Sequence, residues 1–521
     1  MDTDKNGLRL LKSSQIGIRQ LLFSRMTLIL VLLIFRILLL ITLFVWFEEY
    51  YIHYFGSTMT ISVIMIFHLQ NKRMESAVRT SWLVLIMVTP VFGTLLYLFT
   101  CLEIGQKLVR YRVEKTQSEA NECNQQDEGV ISALKKDDSA AASLCHFLRH
   151  QAGACVYQDT AIQYFSSGEQ MLEAVLEQLE NAKESIYLEY FIISEGEMWG
   201  RILEILARKA AEGVDVRVLY DGTCEFYLLP KHYPKRMEAL GIQCKVFSPI
   251  IPIISTHYNF RDHRKIMVID GHTAFTGGIN LSDEYINVGS KYGHWKDVAL
   301  MLRGRGAHGL MLLFLQMWNL DEKKYDFHSI ADRSESMATD GYVAPFGDNP
   351  LDGVKIGQMV YMDLINRATR DICIMTPYLI LDSEMENALC FAAQRGVRVR
   401  IILPGIPDKY IPYALAKTHY KALLGSGVEI YEYTPGFVHA KVVAVDADEA
   451  VVGTINFDYR SFYHHFECGV YMNGCSCITD ILEDFESTVE KCRKVSMQTI
   501  KAEKWHRKLT GYLLKVIAPL L

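Results

Sequence analysis

Two short stretches of this 521-residue chain carry side chains suited to breaking a phosphodiester without a metal: His263-Arg264-Lys265 and His439-Ala440-Lys441. That reaction needs a nucleophile, an acid for the departing alcohol, and cationic donors for the phosphoryl oxygens. Histidine is the side chain that changes protonation near neutral pH, so two of them can supply the first two roles. One must be neutral to attack phosphorus while the other is protonated, so their surroundings must differ. Lys265 and Lys441 would neutralise the phosphate. Asn280 and Asn456 would donate to its non-bridging oxygens.

A single exposed His-x-Lys is usually a solvated loop pair. Here the pattern is duplicated. His263, Lys265, Asp270, Gly277 and Asn280 each have an identical residue 176 positions on: His439, Lys441, Asp446, Gly453 and Asn456. Each copy reads as His-x-Lys, an apolar strand (IMVID or VVAVD), and a glycine turn ending in Asn (GGIN or GTIN). Turn, strand and turn place His, Lys and Asn together at one end of the strand. Neither copy holds a full set, so the two must meet about a pseudo-twofold axis with one site at the seam. EGVDVRVLYD and RGVRVRIILP also match, at an offset of 183, which leaves seven extra residues before the first His motif.

The pattern HxKxxxxD followed by Gly-Gly or Gly-Thr, x, Asn resembles the phospholipase D superfamily. More narrowly, NFRDHRKIMVIDGHTAFTGGINLSDEYIN and GFVHAKVVAVDADEAVVGTINFDYRSFYHHFE are similar to bacterial membrane-bound cardiolipin synthases. The resemblance implies an α/β fold: two phospholipase D-like mixed-sheet halves related by pseudo-twofold symmetry, preceded by N-terminal transmembrane helices. It implies transfer of a phosphatidyl group from one phosphatidylglycerol to another through a phosphohistidine, giving cardiolipin and glycerol. Neither metal nor other cofactor is called for. A hydrolytic phospholipase D is the alternative, because only exclusion of water separates the two; a nuclease of the same superfamily is a third reading.

By the same resemblance His263 is the nucleophile and His439 the general acid, then base. A buried carboxylate is expected to hold each imidazole. Glu467 lies 28 residues after His439 and matches the family's glutamate with this task. The first half has Lys291 at that offset, and Asp297, after a six-residue insertion, takes the role. Asp270 and Asp446 complete the signature and stand with the catalytic candidates, although a carboxylate at the far end of a strand is more often structural. Thr454 matches the family's small hydroxyl, which Gly278 lacks in the first half. His464 and His465 read as ordinary surface or supporting groups.

The elements that must position these residues follow from pattern and composition. Half the residues are hydrophobic, mean hydropathy is +0.09, and net charge is −6. The charge supplies no global basic field for gripping nucleic acid. Twelve cysteines lack a disulfide framework or paired CxxC spacing. This suggests reduced thiols, no zinc site, and a catalytic part facing the cytoplasm. The first 113 residues read as a membrane region with apolar segments at about 26–47, 51–69 and 82–102, the last broken by Pro90 and Gly93. The first run is too long for a cleavable signal peptide. Basic residues in 1–25, 70–80 and 107–115 all belong in the cytoplasm, which fits two crossings plus a re-entrant or interfacial segment in a multi-pass cell-membrane protein. Residues 114–140 read as a polar linker. Two α/β halves follow, 141–330 and 331–521, each running strand, helix, strand. The end, about 497–521, is a basic amphipathic helix suited either to anionic lipid or to docking on the protein.

Overall fold

The computed structural model describes residues 51–72, 74–101, 104–225, 228–249, 260–289, 291–322, 327, 340–503 and 505–520, together with Leu38 and Thr42. Counts and absences below refer to these residues.

The duplicated sequence folds into duplicated sheets. The first half supplies β1 (Thr160–Phe165), β2 (Ser185–Tyr190), β3 (Asp215–Asp221), β4 (Gln243–Phe247), β5 (Arg261–Asp262), β6 (Lys265–Ile269), β7 (Thr273–Gly277), β8 (His294–Lys296) and β9 (Ala299–Gly304). Seven of these form a mixed sheet in the order β1-β9-β7-β6-β2-β3-β4. The second half supplies β10 (Tyr342–Asp348), β11 (Asp371–Met375), β12 (Arg398–Pro404), β13 (Glu429–Tyr433), β14 (Gly436–Val438), β15 (Val442–Val445), β16 (Glu449–Gly453), β17 (His465–Asn473) and β18 (Cys492–Lys494). Its sheet runs β10-β17-β16-β15-β11-β12-β13-β18. The correspondence is strand by strand: β2 pairs parallel with β3 and antiparallel with β6, as β11 does with β12 and β15.

The central strands are short apolar runs buried on both faces, as expected where layers cover each side of a sheet, while β1, β4 and β18 at the edges are partly exposed. Helices Gly168–Asn181 and Glu197–Ala211 pack on the outer face of the first sheet. Ile356–Arg367 and Ser383–Gln394 do the same for the second. The inner faces meet in one shared core, where Ile266, Val268 and Leu300 join Val442, Ala450 and Phe466 around the largely apolar helix Arg305–Trp318. Each Val, Leu or Phe removed from water there contributes roughly 1.5–3 kcal/mol, so the two halves are held as one body.

Two sequence expectations change, the linker and the boundary at 141. Residues 114–140, read above as a polar linker, are largely helical. They lie in helices Ile104–Cys123 and Glu128–Asp137 and enter helix Ser139–Ala152. Val113, Thr116, Ala120 and Asn124 are buried at helical spacing, a period hidden by the polarity of the residues between them. The half boundary at 141 also moves: Leu134, Ala141, Leu144 and Leu148 pack with Phe346, Val360 and Leu364 of the second half. In the membrane region, the segment 26–47 lies outside the described residues, apart from Leu38 and Thr42. The second apolar segment is the helix Tyr51–Asn71. The third folds back at Pro90 into helices Ser76–Val88 and Pro90–Cys101, with Gly93 so near Ile86 that a Cβ would lie 2.9 Å from its Cα. The three helices share Met65, Leu69, Trp82, Ile86 and Tyr97 as a small core. No described helix is long and apolar enough to cross a membrane.

Helix Trp505–Ile517 packs against helix Tyr410–Gly425, where Gly511 lets it approach the Ala414 carbonyl. It also meets the N-terminal helices, since Ser81 Oγ donates to the Val516 carbonyl at 2.5 Å.

Candidate active site

Each His-x-Lys motif is introduced by a short strand that leaves its own sheet and joins the other half. β5, just before His263, pairs parallel with β17, matching Arg261 with His465 and Asp262 with Phe466. β14, just before His439, pairs parallel with β8, matching Phe437 with Trp295 and Val438 with Lys296. The next backbone bond extends each ladder by one residue: His263 N–H donates to Phe466 O (2.9 Å) and His439 N–H to Lys296 O (2.7 Å). The residue after each acceptor is a carboxylate, Glu467 or Asp297. The exchange therefore delivers a carboxylate from one half to the imidazole of the other.

The side chains complete the crossing. His263 Nδ1 lies 2.9 Å from both Glu467 oxygens, and His439 Nδ1 lies 2.6 Å from Asp297 Oδ2. Within-half pairing, the simplest reading of the offset from His439 to Glu467, is not what the fold does. With Nδ1–H bound to a carboxylate, each imidazole keeps its Nε2 lone pair for chemistry. Glu467 is itself fixed by hydroxyls, accepting from Thr454 Oγ1 (2.5 Å) and Ser461 Oγ (2.7 Å). Arg264, the middle residue of the first motif, donates from Nε to the Glu467 carbonyl (3.1 Å). β8 is pinned by Lys296, whose ammonium reaches Asp484 at 2.7 Å.

The place of Thr454 is empty in the first half for a steric reason. A Cβ on Gly278 would lie 2.0 Å from Asp297 Oδ1, so the shorter carboxylate occupies the space a threonine side chain needs. Gly277 and Gly453 share another constraint, because a Cβ on either would meet the carbonyl of Val298 or Cys468 at 2.4 or 2.3 Å.

Lys265 and Lys441 are each 1 % exposed, a degree of burial that ammonium groups seldom reach without partners. Lys265 Nζ donates to the His263 carbonyl (2.6 Å), and Lys441 Nζ donates to the His439 carbonyl and stands 2.9 Å from His439 Nδ1. Burial lowers Lys265 to about 8 and Lys441 to about 7. Burial likewise pushes His263 well below the usual imidazole range against the pull of Glu467. It takes His439 to about 4, aided by the neighbouring charge of Lys441. For Glu467 and Asp297 burial acts upward, but their histidines outweigh it and hold both carboxyls below the usual range. The arrangement is two anionic carboxylates, two neutral imidazoles and two ammonium groups poised near neutrality. An anion between the lysines would restore their charge.

The asparagines differ. Asn280 is engaged on both sides, accepting from Ile192 N (3.0 Å) and donating from Nδ2 to Tyr285 Oη (2.6 Å). Asn456 has a buried Oδ1 without a hydrogen-bond partner among the described residues. Asp270 and Asp446 sit at the far ends of β6 and β15 in left-handed backbone, with φ of 50° and 53°. Asp270 accepts from the N–H groups of Lys183, Glu184 and Ser185, and Asp446 from those of Thr369, Arg370 and Asp371. Each ties the motif strand to the turn entering its neighbour, away from the histidines.

Sequence reasoning missed the rings that wall the site. Phe191 meets His263 edge-on at 4.9 Å, while Tyr285 and Trp295 lie 5.4 and 5.5 Å from His439. His465 is no surface group. It is buried 5.1 Å from the His263 ring with Nδ1 3.5 Å from Glu467 Oε1. His263, His465 and Glu467 together bring three potential metal-ligand atoms within 4.8 Å of one another. Nothing in the spacing pointed to the rings, but Ser461 and His465 both lie between the glycine turn and Glu467.

Comparison with known proteins settles the family. The family described as "Cardiolipin synthase, PLD-like domain" matches residues 175–290 and 361–489, which contain both motifs. Cardiolipin synthase 2 of Bacillus anthracis is 31 % identical, covering 89 % of this chain and 90 % of that protein. Cardiolipin synthase of Halalkalibacterium halodurans is 30 % identical over 96 % of this chain and 100 % of its own. The chain belongs to the cardiolipin synthase family of the phospholipase D superfamily. It is an enzyme with phosphatidyltransferase activity. Its fold is shared with the crystal structure of phosphatidylserine synthase from Haemophilus influenzae, at 17 % identity and a TM-score of 0.55, covering 73 % of this chain and 98 % of the other.

Proposed function

We propose that the chain makes cardiolipin from two molecules of phosphatidylglycerol through a phosphohistidine. The observation that carries the reading is the crossed pair His263–Glu467 and His439–Asp297, with Lys265 and Lys441 buried beside them. His263 Nε2 attacks the phosphorus of the first phosphatidylglycerol. The bond from phosphorus to the headgroup glycerol breaks, and His439 gives that oxygen its proton. The terminal hydroxyl of the second phosphatidylglycerol then loses its proton to His439 and attacks phosphorus, and the bond to His263 breaks. The lysines offset the charge that builds on the phosphoryl oxygens. A bound phosphate opposes the depression of the His439 pKa, which equips that group to act as the acid.

Membrane attachment, with the catalytic part in the cytoplasm, belongs to the same proposal. It is supported by the apolar sequence of 26–47 and by apolar side chains exposed on the N-terminal helices, among them Met59, Phe67, Met87 and Val88. Phosphatidylglycerol is therefore the proposed lipid partner, and nucleic acid is not one.

The test is to incubate membranes containing the wild type, His263→Ala or His439→Ala with phosphatidylglycerol, without CTP or added metal, and to separate lipids and count free glycerol. Cardiolipin with equimolar glycerol, lost in both variants, is expected. Phosphatidic acid with glycerol and no cardiolipin would replace the synthase with a hydrolytic phospholipase D.

A further inference from the structure

A cavity of about 260 Å³ lies between helix Tyr410–Gly425, helix Met497–Ala502 and helix Trp505–Ile517. None of its lining residues belongs to the catalytic set. Five cations reach it, Lys417, Lys421, Lys501, Arg507 and Lys508, against one carboxylate, Glu503. Glu503 is already taken, 3.1 Å from Arg507 and 4.0 Å from Lys417. Lys417 also bonds to the buried Glu432, so it is fixed in place. Lys421 and Lys501 are exposed, and neither ammonium has an ion pair among the described residues. The remaining wall is apolar or aromatic, with Tyr413, Met497, Ile500 and Tyr512.

What surrounds the cavity identifies the occupant. Leu509, Tyr512, Leu513 and Val516 recur at helical spacing on the C-terminal helix and are 49, 57, 64 and 41 % exposed. An uncovered apolar stripe beside a cationic face is the pattern of a helix lying at a lipid interface. The same helix is bonded to Ser81 of the N-terminal apolar helices, on which Val84, Met87 and Val88 are also exposed. The cavity is smaller than the pockets that enclose whole drug-sized ligands, and suits a phosphate-bearing headgroup whose chains lie along the stripe.

We propose that this cavity is a second lipid site, taking the headgroup phosphate of an anionic phospholipid drawn from the membrane surface. The site holds the second catalytic half against the bilayer by a lipid that is not consumed. The inference rests on the proposed membrane attachment, and it names a place on the protein that catalysis does not use.

The experiment uses the full chain in detergent with a phosphatidylglycerol analogue carrying a photoactivatable diazirine near its phosphate, and maps crosslinked peptides by mass spectrometry. Crosslinks on peptides holding Tyr413 or Tyr512 are expected in the wild type. They should fall by at least about tenfold in Lys421→Glu/Lys501→Glu, where two of five attracting charges are reversed, while crosslinks at the catalytic seam are unchanged. Among the described residues neither ammonium forms an ion pair or a hydrogen bond, so the replacement removes none that holds the fold. Undiminished crosslinks in the double variant, or equal capture of a phosphatidylcholine analogue, would overturn the proposal. Displacement by millimolar inorganic phosphate alone would make free phosphate the ligand and overturn the lipid assignment. Turnover of short-chain phosphatidylglycerol in the same micelles reads the proposed activity separately: its absence in the wild type counts against that reading and leaves the crosslinking result standing.

Discussion

The crossed carboxylates make a prediction that within-half pairing reverses. Replacing Glu467 by Gln removes a wholly buried charge that holds His263 through contacts of 2.9 Å to both oxygens, and leaves Asp297 and His439 untouched. A hydrogen bond to a charged group contributes about 1.5–3 kcal/mol. At 1.36 kcal/mol per factor of ten, that is roughly a 10- to 150-fold fall in kcat. The amide also presents an N–H group to the Thr454 or the Ser461 hydroxyl, which places the loss toward the upper end. Asp297→Asn should cost a similar factor, but at the other histidine. The assay compares phosphatidylglycerol with a phosphatidyl ester of p-nitrophenol, a leaving group that needs no proton. Asp297→Asn, which weakens the acid, should recover most of its rate of p-nitrophenol release in the first turnover on the activated ester, later turnovers still needing His439 as base. Glu467→Gln, which weakens the nucleophile, should stay slow on both and accumulate less labelled phosphoenzyme. Recovery by Glu467→Gln and none by Asp297→Asn would refute the assignment of roles, and a loss below threefold in both would refute the carboxylates' part in the reaction.

Gly278→Thr should push Asp297 off His439, since its Cβ would lie 2.0 Å from Oδ1; kcat is expected to fall by an order of magnitude or more, like that of Asp297→Asn, and wild-type turnover would count against the steric argument. Asp446→Asn keeps the left-handed turn and removes a charge shared among three backbone N–H groups, so the melting temperature should drop by the equivalent of about 1–3 kcal/mol, with turnover per folded molecule within a factor of three. Stability should fall on acidification. The His439 pKa is about 4 in the fold against 6.5 when unfolded, so its contribution is complete above pH 6.5 and lost as pH drops toward 4. That is about 3 kcal/mol at 1.36 kcal/mol per unit, and thermal unfolding of His439→Gln should show a flatter dependence over the same window.

Much of the site could be read from one sequence because duplication turned a weak motif into a register. Both His-x-Lys pairs, Asp270 and Asp446, and the strand each pair precedes followed from a fixed offset. Both supporting carboxylates were also legible, but their destination was not. A search within each copy has no means of seeing that β5 and β14 leave their own sheets, because those strands are two and three residues long and depend on partners from the other half. Asn280 illustrates the limit in the other direction: its place in the signature is right for a donor, and the sequence did not show that Tyr285 takes one of its two N–H groups and the Ile192 amide its oxygen. The polar stretch 114–140 misled because its buried positions are few, and only contact with helix Arg305–Trp318 for Val113 and Ala120, and with the second half for Leu134, shows which face of each helix is inside.

The exchange of strands also sets when the enzyme becomes reactive. His263 and the carboxylate that orients it are 204 residues apart in the chain. At about 5–20 residues per second, synthesis leaves an interval of roughly 10–40 seconds in which the first motif exists and its partner does not. During that time the first histidine has neither the carboxylate that anchors its tautomer nor the opposing histidine, so the crossed centre is assembled only once the chain has been made past Glu467.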